Sequence, residues 1–136
     1  MYYAVIDTNV LVSALINRKG IPAKVIRYIF ENKLIPIFNE EIIEEYEEVL
    51  HRDKFNFDEA DIVGLIAQIK INGVHEDTLN SEENFSDKDD KIFFEVTLSH
   101  LQYEDNTYLV TGNLRHFPIK PFVISPKQMI GIIENP

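Results

Sequence analysis

Four short segments carry residue types whose spacing suits chemistry. In Ile6-Asp7-Thr8-Asn9 the aspartate directly follows an apolar run. At the carboxyl end of a parallel strand it would stand where open α/β sheets bind their ligands; the plainer reading is that Asp7 or Asn9 caps the next helix. In Ser86-Asp87-Lys88-Asp89-Asp90 acids open a helix, and the helix dipole alone accounts for Asp87 and Asp89. Asp90 differs, because Phe93, Phe94, Thr97 and Leu101 follow it on one helical face. A carboxylate at the end of a core-facing stripe needs hydrogen bonds or a cation. The third segment holds Glu44, Glu45, Glu47 and Glu48. Glu44 and Glu48 fall opposite the apolar stripe of their helix, whereas Glu45 and Glu47 flank it, and periodicity does not choose between them. The fourth, Leu109-Val110-Thr111-Gly112-Asn113, leaves an apolar run through a small polar turn. If its strand is parallel to the first, Thr111 and Asn113 share a sheet edge with Asp7.

Asp7, Asp90 and one of those glutamates, brought together, would repel one another unless something neutralised them. The chain has no Cys and four His, at 51, 75, 100 and 116, none in paired ligand spacing. A hard, oxygen-liganded ion is therefore expected, Mg²⁺ or Mn²⁺, of the kind that serves phosphodiester hydrolysis. Groups that could meet a phosphate are Arg18-Lys19, Lys24 with Arg27, Lys88 with Lys91, and Arg115-His116. Each alone also reads as solvated surface charge; Arg115, close after Asn113, is the favoured one.

The elements that must position these residues alternate. Strands are expected at 2–6, 34–38, 108–111 and 122–124, with a weaker one at 74–79. They are continuous in Tyr, Val, Ile and Phe rather than alternating, which suits strands buried on both faces of a parallel sheet. Helical patterns cover 10–16, 22–32, 40–52, 58–71, 89–101 and 126–133. Asn72-Gly73 reads as a stop, and Ser125, Pro126 and Gln128 as a capped helix start. The polar stretch 80–86 reads as a loop. The pattern is an α/β fold with a central, mostly parallel sheet of about five strands, flanked by helices on both sides.

The length of 136 residues suits one domain, 1–136. Thirteen basic residues against 23 acidic give a net charge of −10, which argues against an unspecific nucleic-acid coat or a binder of anionic membranes. The start of the chain has no basic segment before Asp7, and no apolar run approaches the ~20 residues of a membrane-spanning helix. A cytoplasmic location without membrane contact is expected, and the absence of Cys is compatible with it.

Ile6-Asp7-Thr8-Asn9-Val10-Leu11, then Glu45-Tyr46, then Asp89-Asp90, then Leu109-Val110-Thr111-Gly112-Asn113, closing on Ile124-Ser125-Pro126, resembles a PIN domain across essentially the whole chain. The nearest branch is that of toxins of toxin–antitoxin systems related to VapC-type ribonucleases. The resemblance implies an Mg²⁺- or Mn²⁺-dependent endoribonuclease in which Asp7, Glu45 and Asp90 are the core acids, and it selects Glu45 over Glu47. It also implies an RNA substrate, a small antitoxin protein as partner and a homodimer. Thr8, Asn9, Thr111, Asn113 and Arg115 would position water or substrate. Many PIN domains carry a fourth Asp where this chain has Asn113, which adds no charge. That departure keeps a second reading open, a catalytically weak module binding RNA or a protein. A third, a phosphatase with Asp7 as nucleophile, wants a second Asp where Asn9 stands.

Overall fold

The computed structural model describes residues 1–78, 81, 83–85 and 87–136. The run Tyr2–Ile6 forms β1, and α1 (Thr8–Ile16) follows one residue later. α2 (Ile21–Phe30) places Pro22 at its start, where the missing N–H costs no helical bond. Two residues beyond its end Asn32 takes a left-handed backbone (φ 61°), and Lys33 N donates to Tyr28 O at 2.8 Å. That closure stops the helix before the expected residue 32. β2 (Leu34–Phe38) leads through Asn39, whose side chain accepts from Ile42 N, into α3 (Glu40–Leu50). α4 (Glu59–Asn72) and the short β3 (Val74–His75) come next. α5 (Lys88–Leu101) is capped by the Asp87 side chain and followed by β4 (Thr107–Val110). A 3₁₀ turn at Leu114–His116 precedes β5 (Val123–Ile124) and α6 (Pro126–Glu134). The capping box at Ser125 and Gln128 forms in both directions.

The five strands pair entirely in parallel, in the order β3-β2-β1-β4-β5. The order reverses direction at β1, so right-handed crossovers send α1–α4 to one face and α5 to the other. α2 and α4 pack on β2, and α5 packs on β1 and β4. β1 is the central strand and its Ala4, Val5 and Ile6 are fully buried, which is why its sequence shows no alternation. The Asp90 stripe faces inward as its spacing predicts, with Phe93, Phe94 and Thr97 buried.

β3 spans two residues rather than the six expected. It pairs with β2 only at Ile37 and Phe38, where β2 itself ends, so the chain beyond His75 has little ladder left to extend; Glu76 N adds one bond to Phe38 O. Residue 79 of that expected strand, and residues 80, 82 and 86 of the expected loop, lie outside the described residues. Among the described residues no helix is long and apolar enough to cross a membrane.

Candidate active site

Strand register builds the centre. Ile6 pairs with Val110, so the next residue on each strand, Asp7 and Thr111, emerges side by side at the carboxyl edge. Asp7 N donates to Val110 O at 2.9 Å and Thr111 N to Ile124 O at 3.0 Å, and both side chains are buried. Thr111 Oγ1 donates to Asp7 Oδ2 at 2.7 Å, and Asn9 Nδ2 donates to the same oxygen at 3.0 Å. Asp7 is the residue preceding α1, yet its side chain makes no cap bond. The capping explanation of this aspartate therefore fails, and its carboxylate belongs to the sheet edge.

Asn9 and Thr111 are themselves held. Gly112 N donates to Asn9 Oδ1 at 3.0 Å, and Asn113 N donates to Thr111 Oγ1 at 2.9 Å. A β-carbon at Gly112 would stand 3.3 Å from Asn9 Oδ1, tighter than most contacts, so the glycine keeps this approach open. The Asn113 backbone thus fixes the turn, while its side chain lines a cavity of about 220 Å³ with Asn9, Ser13 and Pro126. Thr8, adjacent to Asp7, is buried, and its hydroxyl has no hydrogen-bond partner among the described residues.

Burial raises the pKa of Asp7 above the usual carboxylate range, against the opposing bonds from Thr111 and Asn9. Asp90 is pushed up to about 6, first by burial and then by the charge of Asp7, which places the two acids in one field. Its side chain is only 14% exposed, and His116 Nδ1 lies 3.6 Å from its Oδ2. Glu45 is pushed up to about 7, first by burial and then by Asp89 and Glu48. It is half-buried whereas Glu47 is exposed, a difference in burial that periodicity left open. Glu44 and Glu48 are exposed, as the helical pattern predicts.

Asp90 therefore feels the charge of Asp7, whereas the charges that act on Glu45 are those of Asp89, Glu48 and Asp87 rather than Asp7 or Asp90. Among the described residues no three His, Asp or Glu side chains come together closely enough to hold a metal ion as they stand. The donor set fits a hard divalent ion in chemistry: every group is an oxygen, all three acids hold protons more tightly than free carboxylates, and the Thr8 hydroxyl lacks a partner.

Of three neighbours, sequence reasoning missed the roles of Tyr46 and Arg52 and ranked His116 below Arg115. Tyr46 is fully buried and its hydroxyl donates to Ile6 O at 2.5 Å, pinning the end of β1 one residue before Asp7. Both burial and the charge of Asp7 keep this phenol protonated. Replacing it, Tyr46→Phe, leaves a buried carbonyl short of a donor and is expected to lower stability by about 1–2 kcal/mol with an unchanged denaturant slope, checked by urea unfolding. The second is His116, which meets Asp90, while the favoured Arg115 on the same turn is exposed and makes no ion pair among the described residues. The third is Arg52, whose guanidinium binds Glu48 and feels Glu45 and Asp89. Of the other basic groups, Arg18 pairs with Asp61, Lys24 with Glu134, and Arg27 donates to Arg18 O, whereas Lys19, Lys88 and Lys91 make no ion pair among the described residues.

A parallel α/β sheet with a buried carboxylate, Asp7, at its switch-point edge defines the class of this protein. The chain belongs to the PIN domain family, whose pattern matches residues 3–115. Members of that family are generally nucleases and typically use divalent metal ions. The chain is also 32% identical over 115 residues to an uncharacterized protein of Methanocaldococcus jannaschii, covering 80% of this chain and 69% of that one. No solved structure matches it significantly. The family removes the phosphatase reading of Asp7.

Proposed function

We propose that the protein is a divalent-metal-dependent endoribonuclease that hydrolyses RNA phosphodiester bonds at the carboxyl edge of its sheet. The observation that carries the reading is the Asp7 carboxylate, buried and held by Thr111 and Asn9 within the field of Asp90. Asp7, Glu45 and Asp90 would hold Mg²⁺ or Mn²⁺, which would supply an activated water and charge neutralisation at the leaving oxygen. Thr111 and Asn9 orient Asp7, the buried Thr8 hydroxyl beside it is left with a free oxygen, and Asn113 lines the adjoining cavity. Arg115 lies exposed on the next turn, free to reach a phosphate. From the resemblance of the motifs alone, the protein acts in the cytoplasm as the toxin of a toxin–antitoxin pair, a homodimer held silent by a small antitoxin protein.

The test is cleavage of a mixed-sequence RNA pool with Mn²⁺, against EDTA and Asp90→Asn. Products that need metal and vanish in Asp90→Asn are expected. Asn113, uncharged where many PIN domains carry an acid, favours the alternative of a binding module, and an intact protein that binds RNA yet cleaves nothing at saturating Mn²⁺ would support it.

A further inference from the structure

The corner after α3 supplies what the acidic edge lacks. Residues 51–54 read His-Arg-Asp-Lys in a chain of net charge −10. Arg52 donates to Glu48 through Nε at 3.3 Å and Nη2 at 2.8 Å, and the charges of Glu45 and Asp89 act on the same guanidinium. Arg52 therefore lies within the electrostatic reach of Glu45, one of the proposed catalytic acids. Its pair with Glu48 is half exposed on both sides and correspondingly weak in water, so another anion can take the place of Glu48.

Next to this cation lies an aromatic platform. Phe55 and Phe57 stack with ring centroids 5.3 Å apart and planes within 6°. Phe57 packs against the hydrophobic core, and both rings are partly buried. Between them Asn56 takes a left-handed backbone, φ 52°, a conformation Asn tolerates and most residues avoid. Lys54 Nζ lies 5.1 Å from the Phe55 centroid and is exposed. A cavity of about 320 Å³ opens on the Phe57 side of the stack, lined among others by Arg52, Asn56 and Phe57 with His51 and the acidic Asp53. A partly exposed aromatic ring between an arginine and a lysine matches the two needs of unpaired RNA, a stacking partner for a base and cations for its phosphates.

We propose that this corner is a subsite for single-stranded RNA: Phe55 stacks on an unpaired base, and Arg52 and Lys54 take the flanking phosphates. The Lys54 ammonium leaves the ring face for phosphate as the base arrives, and Arg52 exchanges Glu48 for phosphate. The subsite rests on the ribonuclease reading for its substrate, since it would hold the strand a short distance from the bond that is cut.

The test uses the full chain carrying Asp7→Asn to prevent cleavage, and a fluorescein-labelled 12-nucleotide RNA of mixed sequence, single-stranded or annealed to its complement. Binding is read by anisotropy across a salt series. Phe55→Ala is expected to weaken single-strand binding about tenfold or more and duplex binding much less. Phe55→Tyr, which keeps the ring, retains affinity, and Phe55→Leu, which keeps apolar packing, loses it; this variant stands in should the alanine not fold. Arg52→Gln reduces the salt slope by about one phosphate. Unchanged RNA affinity in Phe55→Ala and Arg52→Gln overturns the subsite. If Phe55→Ala instead lowers the sedimentation mass at unchanged RNA affinity, the platform belongs to a second copy of the chain. Metal-dependent cleavage by the wild type with no effect at Phe55 rejects the subsite alone. Binding that depends on Phe55 without cleavage by the wild type rejects the nuclease alone.

Discussion

Asp7→Asn is expected to reduce RNA cleavage by about 10³-fold or more, the scale on which removal of one group from a catalytic unit acts, while the protein stays folded. The side chain accepts from both Thr111 and Asn9 through a single oxygen. An amide keeps that oxygen, so the Thr111 bond survives, but it cannot serve as an anionic ligand. Stability should change little or rise. Burial disfavours the charged form of Asp7 in the folded protein, so at pH 7.5 without metal the carboxylate opposes folding and a neutral amide relieves that cost. The opposing loss is geometric: the Asn amide takes the place of the second carboxylate oxygen, near an Asn9 side chain already fixed by Gly112 N. Single-turnover cleavage and melting in EDTA measure the two effects. Asp89→Asn is the control, since Asp89 is exposed in the first turn of α5, and it should retain most activity. Full cleavage by a clean Asp7→Asn preparation would falsify the proposed chemistry.

What local pattern could encode, it encoded well. β1 and β2 fall on the expected residues because each is a continuous apolar run bounded by polar residues. Asp7 and Thr111 were legible as strand-end residues, and Asp90 as the acid on an apolar helical face. The failures share a cause, dependence on partners far away in the chain. β3 ends early because β2, its only neighbour, ends there, which its own residues do not announce. Tyr46 reads as one more apolar position of α3, and its hydroxyl matters only through Ile6, 40 residues earlier. Glu45 and Glu47 flank the stripe symmetrically on a helical projection, and what buries one and exposes the other is tertiary packing. His116 and Arg115 are adjacent in sequence, but the 3₁₀ turn at Leu114–His116 brings only the histidine to Asp90. A three-residue turn has no periodicity from which to read that choice.

The raised acids also predict an opposite response to pH with and without metal. In metal-free protein Glu45 binds its proton up to about pH 7 and Asp90 to about pH 6, both above their ordinary values of 4.5 and 3.8. The folded state then holds these protons more tightly than the unfolded chain, so their contribution favours folding at acid pH and is lost as the pH rises through 6 to 7. In EDTA the melting temperature should therefore rise as pH falls from 8 to 5. His51 and His75, each raised by a hydrogen bond to an acceptor, push the same way, so the slope in EDTA alone does not isolate the site. Metal does. A divalent ion must displace the protons on Glu45 and Asp90, so its apparent affinity should fall about 100-fold between pH 7.5 and 5.5, for one proton above pH 6 and two below. Saturating Mn²⁺ stabilises the folded state by mass action, hence most at pH 8 and least at pH 5. The difference between the Mn²⁺ and EDTA melting curves should close on acidification, and cleavage at sub-saturating metal should fall with it. Glu45→Gln removes the proton with the higher pKa, so the pH dependence of residual metal binding should shift down toward that of Asp90. A Mn²⁺ shift in melting temperature that is the same at pH 8 and pH 5.5 would mean that the metal binds elsewhere and that these acids do not hold it.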